Sequence, residues 1–193
     1  VDRIGNIFAH RPGRVADRPP VMTGSHLDTQ PHGGKFDGVY GVLAGLEVIR
    51  TLNDAGVETD APIEVAVWTN EEGSRFAPAM CASGVFGGAF EADYVLAQKD
   101  LNGKTFGEEL RRIGYAGSEP CGGRAIDTFF EVHIEQGPIL EAEELPIGVV
   151  IGNERSASCR AAAFTISSEK AMRRSARSAP SRSPVFSNPM RVA

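Results

Sequence analysis

The sequence lacks the features of membrane, secreted and disulfide-bonded proteins. It contains no run of about eighteen apolar residues, the length that a transmembrane helix needs. Its beginning has no charged segment followed by an apolar one, so no signal peptide is predicted. The three cysteines are odd in number and form no Cys-x-x-Cys pair, which indicates reduced thiols in a cytoplasmic protein.

Positive charge is scarce before residue 153. The formal net charge is −5, yet residues 153–193 carry +6 from seven Arg and one Lys against two Glu, which leaves −11 on residues 1–152. An acidic globular part argues against a nucleic-acid partner. Ser, Ala and Arg make up 24 of the last 41 residues without a lasting period, which predicts a disordered tail. A natural basic tail that binds an acidic partner and a shifted reading frame near Gly152 both fit this composition.

The order of the remaining segments predicts an α/β fold. Residues 21–29 have the composition of a buried strand, and residues 38–52 repeat apolar side chains with helical spacing. Residues 63–69 form an apolar run typical of a strand buried on both faces of a parallel sheet. Residues 126–134 return to strand character. We therefore predict a mostly parallel sheet flanked by helices over residues 1–152, followed by the disordered tail over residues 153–193.

Polar side chains stand at the ends of these predicted strands. His26 ends the first strand, and His133 ends the last one. Glu71 and Glu72 adjoin at the end of the middle strand, where two carboxylates repel each other unless a cation or a shared proton compensates them. Asp37 precedes the helix. Ligands bind outside the carboxyl ends of the strands in open α/β sheets, so we expect these groups to gather into a metal site.

Each of these residues also has a simpler interpretation. A His at a strand end is equally compatible with a hydrogen-bonded surface residue, and Asp37 is equally compatible with a helix cap. The full set of strand ends, rather than any one residue, favours the metal site.

Four motifs in the chain resemble those of a known family. They are GSHLDT at residues 24–29, GGKFDG at 33–38, TNEEGSRF at 69–76 and HIEQGP at 133–138. In this order they resemble the M20 metallopeptidase clan and, within it, the hydantoinase/carbamoylase amidases. That family includes N-carbamoyl-L-amino-acid hydrolases, β-ureidopropionases and allantoate amidohydrolases. The resemblance covers residues 1–152.

The resemblance implies a centre of two divalent metal ions. It implies that His26 and His133 bind the first metal, that Glu72 binds the second, and that Asp37 bridges the two. Zn²⁺ is the expected metal, and Mn²⁺, Co²⁺ or Ni²⁺ also suit a mixed imidazole and carboxylate set. Two such ions polarise a carbonyl and supply hydroxide near neutral pH.

Three further roles are implied by the same motifs. Glu71 is expected to be the general base, and Asp28 is expected to orient His26 without touching the metal. Gln136 is expected to contact the carbamoyl or carboxylate end of the substrate.

The implied activity is hydrolysis of the carbamoyl C–N bond of N-carbamoyl-L-amino acids or N-carbamoyl-β-alanine to the amino acid, CO₂ and ammonia. The full-length family forms homodimers, with no nucleic-acid or membrane partner. One alternative is an allantoate amidohydrolase or an M20 aminoacylase or peptidase. Another is a non-catalytic relative that keeps the metal loops as structure. The GGKFDG and HIEQGP forms favour the carbamoylase.

Two features of the family are missing from the chain. The family has a further His ligand for the second metal far downstream, and this chain has no His after His133. The family also inserts a smaller dimerisation domain where this chain turns into the Ser/Ala/Arg-rich tail, and for this reason a shifted reading frame near Gly152 is preferred over a natural basic tail. We therefore expect the chain to bind one metal through His26, Asp37 and His133 and to have little or no activity.

Overall fold

The structure is a computed structural model that describes residues 1–150 and the backbone of Ala161–Ile166. Strands and short helices alternate along the chain. In order they are β1 (Ile7–Arg11), β2 (Val21–His26), α1 (Val39–Asp54), β3 (Ile63–Trp68), α2 (Cys81–Phe86), α3 (Ala92–Leu96), α4 (Phe106–Arg112), β4 (Thr128–Ile134), α5 (Ile139–Ala142), β5 (Ile147–Val150) and β6 (Ala161–Ile166).

The six strands form one sheet in the order β1-β3-β2-β4-β6-β5. Strands β3, β2, β4 and β6 run parallel, and β1 and β5 pair antiparallel at the two edges. The predicted α/β fold with a mostly parallel sheet is therefore confirmed. The switch in strand order lies between β2 and β4, because the chain leaves β2 for β3 on one side and later places β4 on the other.

Helices cover both faces of the sheet. Successive residues of a strand point to opposite faces, so Met22 and Ala66 lie on one face while Thr23 and Val65 lie on the other. The first face carries a buried cluster to which Trp68 and the half-buried Phe86 of α2 belong. The second face is covered by α1.

Helix α1 lies close to the sheet because glycines face it. A Cβ at Gly45 would lie 2.9 Å from Cγ2 of Thr23 and 3.2 Å from Cγ2 of Val65. The apolar spacing of residues 38–52 predicted this helix, which begins at Val39 and ends at Asp54. A second buried cluster joins the short helices α2, α3 and α4 around Phe76, Val95 and Phe106.

One short segment within the predicted tail is described by the structure. Ala161–Ile166 forms β6, which pairs with β4 and β5. Alanine and β-branched residues tolerate a strand when neighbouring strands supply the hydrogen bonds. The rest of residues 153–193 lies outside the described residues. None of the helices in the described part of the chain is long and apolar enough to cross a membrane.

Candidate active site

Two imidazole rings face each other at the carboxyl ends of β2 and β4. The Nε2 atoms of His26 and His133 lie 3.3 Å apart. Nδ1 of His26 lies 2.7 Å from the carbonyl oxygen of Asp28, and Nδ1 of His133 lies 2.8 Å from that of Ile134. A carbonyl oxygen can only accept, so we assign the proton of each neutral ring to Nδ1. Two unprotonated Nε2 atoms then lie beside each other, an arrangement that a cation between them would stabilise.

Asp37 supplies a carboxylate to the same space. Its Oδ1 lies 3.3 Å from Nε2 of His133, and ligand atoms of His26, Asp37 and His133 all lie within 4.8 Å of one another. Asp37 and His26 are both buried. The convergence that the strand ends predicted is therefore present. The particular metal role of each residue stays a prediction.

The His26 ring packs against Gly38, the residue before α1. A Cβ at Gly38 would lie only 2.5 Å from Nε2 of His26, closer than real side-chain contacts come. Gly38 also has no positive φ, since it adopts φ −55° and ψ −24°. The glycine is therefore required by the ring beside it rather than by the backbone, and it lets the ring approach the first turn of α1.

Glu71 also approaches Nε2 of His26. Its Oε2 is 3.5 Å from Nε2 of His26, and burial raises the pKa of its carboxyl to about 7. The positive charge of a protonated His26 would lower this pKa, whereas the nearby carboxylates of Glu72 and Glu131 add to the rise. A carboxyl that titrates near neutrality can both accept and return a proton, as a general base must.

Asp28 holds the turn that carries the two adjacent glutamates. Its two carboxylate oxygens accept the backbone N–H groups of Glu71 and Glu72, at 3.1 and 3.0 Å. The role of Asp28 in orienting His26 stays a prediction. The hydrogen-bond partner of Nδ1 of His26 is the Asp28 carbonyl, and the Asp28 carboxylate lies 3.7 Å away. The carboxylate is occupied by the backbone of the glutamate turn.

The two carboxylate oxygens of Glu72 differ in their hydrogen bonding. Its Oε2 accepts the side-chain amide of Gln30 at 2.7 Å. Its Oε1 is buried and has no hydrogen-bond partner among the described residues. Burial raises the pKa of Glu72, the bond from Gln30 lowers it, and the Asp37 carboxylate beside it raises it again. A buried carboxylate oxygen without a donor fits a metal ligand, since such a group is otherwise costly to bury.

Gln136 reaches the site from the loop after β4. Its Nε2 donates to Oδ1 of Asp37 at 3.0 Å. The preceding Glu135 faces away and accepts the backbone N–H groups of Ile139 and Leu140 at the start of α5. Gln136 therefore belongs to the site, and Glu135 holds the following turn.

Sequence reasoning missed Gln30, Ser25 and Glu131. Gln30 contacts Glu72, and Ser25 contacts Glu131 at 2.5 Å next to the two histidines. Glu131 stands two residues before His133 on the same strand, so the period of two could have identified it. Ser25 carried no such signal, because a small polar residue in a buried strand is common.

The donor set of this site fits a divalent metal. Two imidazole nitrogens and three carboxylates converge at the carboxyl ends of parallel strands. The second group of possible ligand atoms, from His26, Glu71 and Glu72, shares His26 with the first group. Such mixed nitrogen and oxygen donors suit Zn²⁺ and the neighbouring first-row ions. The fold and the site thus define an α/β protein with a candidate metal centre at the switch in strand order.

Comparison with known proteins gives the family. The chain belongs to the peptidase family M20/M25/M40, whose sequence model matches residues 22–191. It is 61% identical over 150 residues to an N-carbamoyl-L-amino-acid amidohydrolase of Rhizobium meliloti, a match that covers 78% of this chain and 36% of that protein.

A solved structure and a second sequence relative support the same assignment. An amidase of the hydantoinase/carbamoylase family from Burkholderia multivorans superimposes with a TM-score of 0.75 at 69% identity, covering 77% of this chain and 36% of the other. A ureidoglycolate hydrolase of Arabidopsis thaliana is 37% identical over 168 residues, covering 82% of this chain and 35% of that protein. The chain therefore spans about a third of the length of these relatives. The resemblance to the hydantoinase/carbamoylase amidases is confirmed.

Proposed function

We propose that the chain forms part of the active site of a metal-dependent amidohydrolase that cleaves the carbamoyl C–N bond of N-carbamoyl-L-amino acids. The observation that carries this proposal is the pair of Nε2 atoms of His26 and His133, which face each other 3.3 Å apart beside the Asp37 carboxylate. The relative of 61% identity, an N-carbamoyl-L-amino-acid amidohydrolase, supports the substrate class.

His26, His133 and Asp37 would hold the first metal, and Glu72 together with Asp37 would contribute to the second. Zn²⁺ is the proposed ion, with Mn²⁺, Co²⁺ and Ni²⁺ as alternatives. A divalent ion bound there would polarise the scissile carbonyl and lower the pKa of water. The unpartnered Oε1 of Glu72 supports its role as a ligand.

Glu71 would act as the general base and carry a proton from water to the leaving nitrogen. A carboxyl with a pKa near 7 accepts a proton from the attacking water and returns it to the nitrogen that leaves. Asp28 keeps this side chain in position by binding the backbone N–H of Glu71. The net reaction consumes one water for each N-carbamoyl amino acid and yields the amino acid, CO₂ and ammonia. Gln136, whose amide already reaches Asp37, would hydrogen-bond the substrate.

A chimera tests this proposal directly. Residues 1–150 would replace the matching part of the Rhizobium meliloti amidohydrolase, and ammonia release from N-carbamoyl-L-amino acids would be measured with Zn²⁺, Mn²⁺ or Co²⁺. We expect turnover within about tenfold of the parent enzyme, because 61% of the exchanged residues are identical. A chimera that folds and binds metal but releases no ammonia would refute the proposal.

A related substrate is the second candidate. The similarity to a ureidoglycolate hydrolase favours testing ureidoglycolate with the same chimera, and allantoate and N-carbamoyl-β-alanine belong in that series. Higher kcat/KM for ureidoglycolate than for every N-carbamoyl-L-amino acid would replace the first proposal. A non-catalytic binding protein would bind metal and substrate without turnover.

For the 193-residue chain by itself, we propose metal binding with very low turnover. It offers no imidazole after His133 for the second metal. Turnover of the isolated chain at roughly 1–10³ per second, the usual range of enzymes, would contradict this expectation. The homodimer and the cytoplasmic location implied by the resemblance stay predictions.

A further inference from the structure

The strands that carry the two histidines separate before they reach them. The ladder between β2 and β4 pairs only residues 21–23 with residues 128–130. By contrast, β2 stays paired with β3 as far as His26, and β4 stays paired with β6 as far as Ile134. Between Thr23 and His26, the described backbone therefore offers no ladder that would set the distance from β2 to β4.

The first turn of α1 lies over this separation. A Cβ at Gly41 would lie 2.8 Å from Cβ of Ser25 and would collide with the carbonyl oxygen of Val132. The helix therefore touches β2 and β4 at once, at the height of the two histidines.

One side-chain hydrogen bond crosses the separation. Oγ of Ser25 donates to Oε1 of Glu131 at 2.5 Å. Ser25 is fully buried and directly precedes His26, and the half-buried Glu131 stands two residues before His133. A hydroxyl bound to a carboxylate is among the short and strong hydrogen bonds of proteins. Neither residue belongs to the groups of possible metal ligands.

We propose that Ser25 and Glu131 are positioning residues of the candidate metal centre. Their hydrogen bond replaces the missing ladder and sets the distance between the Nε2 atoms of His26 and His133. This inference rests on the proposed function, because it takes the two imidazoles to hold a metal. Partners of this kind, outside the ligands themselves, typically change metal affinity by about 10–100-fold when they are removed.

Cobalt binding by the 193-residue chain tests this inference. Co²⁺ is titrated into the metal-free chain, and the affinity and the visible absorption of bound Co²⁺, which reports its coordination geometry, are both measured. We expect Ser25→Ala and Glu131→Ala each to weaken binding by roughly 10–100-fold and to change the spectrum. Glu131 is partly exposed, so Glu131→Ala keeps the test available if Ser25→Ala does not fold.

The conservative variant separates the hydrogen bond from the charge. Glu131→Gln keeps an oxygen that can accept from Ser25, so we expect its affinity to stay within about threefold of the wild type. The double variant of Ser25→Ala and Glu131→Ala should bind no more weakly than either single variant, since both remove the same bond. Thr128→Ala, on the same strand but with its hydroxyl on Asp127, is the matched control and should leave affinity and spectrum unchanged.

Three outcomes would overturn the inference. Unchanged affinity and spectrum in folded Ser25→Ala and Glu131→Ala would show that the bond does not position the histidines. Equal loss in Glu131→Gln and Glu131→Ala would show that charge matters instead of the hydrogen bond. A wild-type chain that binds no Co²⁺ would overturn the proposed metal centre and this inference with it. Wild-type binding that both variants leave unchanged would overturn this inference alone.

Discussion

The two ends of α1 lie beside different kinds of polar groups. At its beginning, next to Gly38, lie the buried His26 and Asp37 with Glu71 and Glu72 beside them. At its other end, about 24 Å away at 1.5 Å per residue, the helix borders a cavity of about 520 Å³. That cavity is lined by Arg11, Arg14, Ile49, Asn53 and Thr59, among others.

The two arginines that line this cavity already have hydrogen-bond partners. Arg11 donates to Asn53 and Thr59 side chains and to the carbonyl of Val57, at 2.8, 3.2 and 2.6 Å. Arg14 is bound to Asp60, and its hydrogen bond lowers the pKa of the Asp60 carboxyl.

At the beginning of α1 the pKa shifts have the opposite sign. Burial raises the pKa of both Glu71 and Glu72, and Oε1 of Glu72 has no donor among the described residues. Perturbed carboxyls in a buried cluster are typical of functional sites, whereas satisfied ion pairs are typical of surface structure. This difference supports the proposal that the beginning of α1 is the active end of the molecule, because of its unused bonding capacity rather than because of a cavity.

The largest expected effect concerns catalysis at the active end. In the chimera, Glu71→Gln removes the group that would move the proton but leaves the proposed metal ligands in place. We expect kcat to fall by roughly 10²–10⁴-fold with unchanged metal content. Steady-state ammonia release and metal analysis of the purified variant measure both quantities. Loss of metal with unchanged activity per bound metal would reverse the roles of Glu71 and Glu72.

Two histidine variants compare the ends of the molecule by metal binding. His133→Ala removes an imidazole of the candidate centre, so Co²⁺ affinity should fall by more than about 100-fold, the upper range for partners outside the ligand set. His10→Ala is the matched control at the other end, where the half-exposed His10 forms a side-chain bond with Glu64. Its affinity should match the wild type. Equal losses in the two variants would abolish the distinction between the ends.

A smaller effect is expected from a methyl group beside His26. Gly38→Ala places a Cβ against the imidazole, and overpacking of this kind typically costs about 1–3 kcal/mol. We expect Co²⁺ affinity to fall about tenfold as the ring moves. Gly34→Ala in the same loop is the control, since no atom lies within 4 Å of its added Cβ. Isothermal titration with both variants decides whether contact with His26 or the loop itself matters.

The smallest effect concerns the stability of the metal-free chain. The pKa of Glu71 is about 7 in the folded state against an ordinary value of 4.5, so the unfolded chain loses this proton first as pH rises. The stability that the protonated carboxyl contributes is fully present below pH 4.5 and is lost as pH rises through 7. Glu71→Gln should therefore lose less stability than the wild type between pH 5 and pH 8, by on the order of 1–2 kcal/mol.

Urea unfolding of both proteins at the two pH values, without metal, measures that difference. Parallel losses in wild type and Glu71→Gln would show that Glu71 does not titrate in this range.

Local pattern was sufficient for much of the fold and of the site. The apolar spacing of residues 38–52 predicted α1, and the continuous apolar run of residues 63–69 predicted β3, because burial imposes a period on the chain. The ends of β2 and β4 and the start of α1 placed His26, His133 and Asp37 together, since parallel strands share one carboxyl edge. The edge strand β5 and the strand β6 within the predicted tail were missed, because pairing with a neighbour rather than composition decides such strands.

The sequence by itself determined which groups could bind a metal, because that depends on residue type and on position after a strand. Only the tertiary structure decided how each group is held. In the folded chain, Nδ1 of His26 bonds to the carbonyl oxygen of Asp28 rather than to its carboxylate. Glu131 contacts Ser25, although the two residues are 106 positions apart in the chain. Such contacts depend on strand order and on side-chain directions, which no local period records. The distance between two histidines 107 positions apart is therefore a property of the packed sheet.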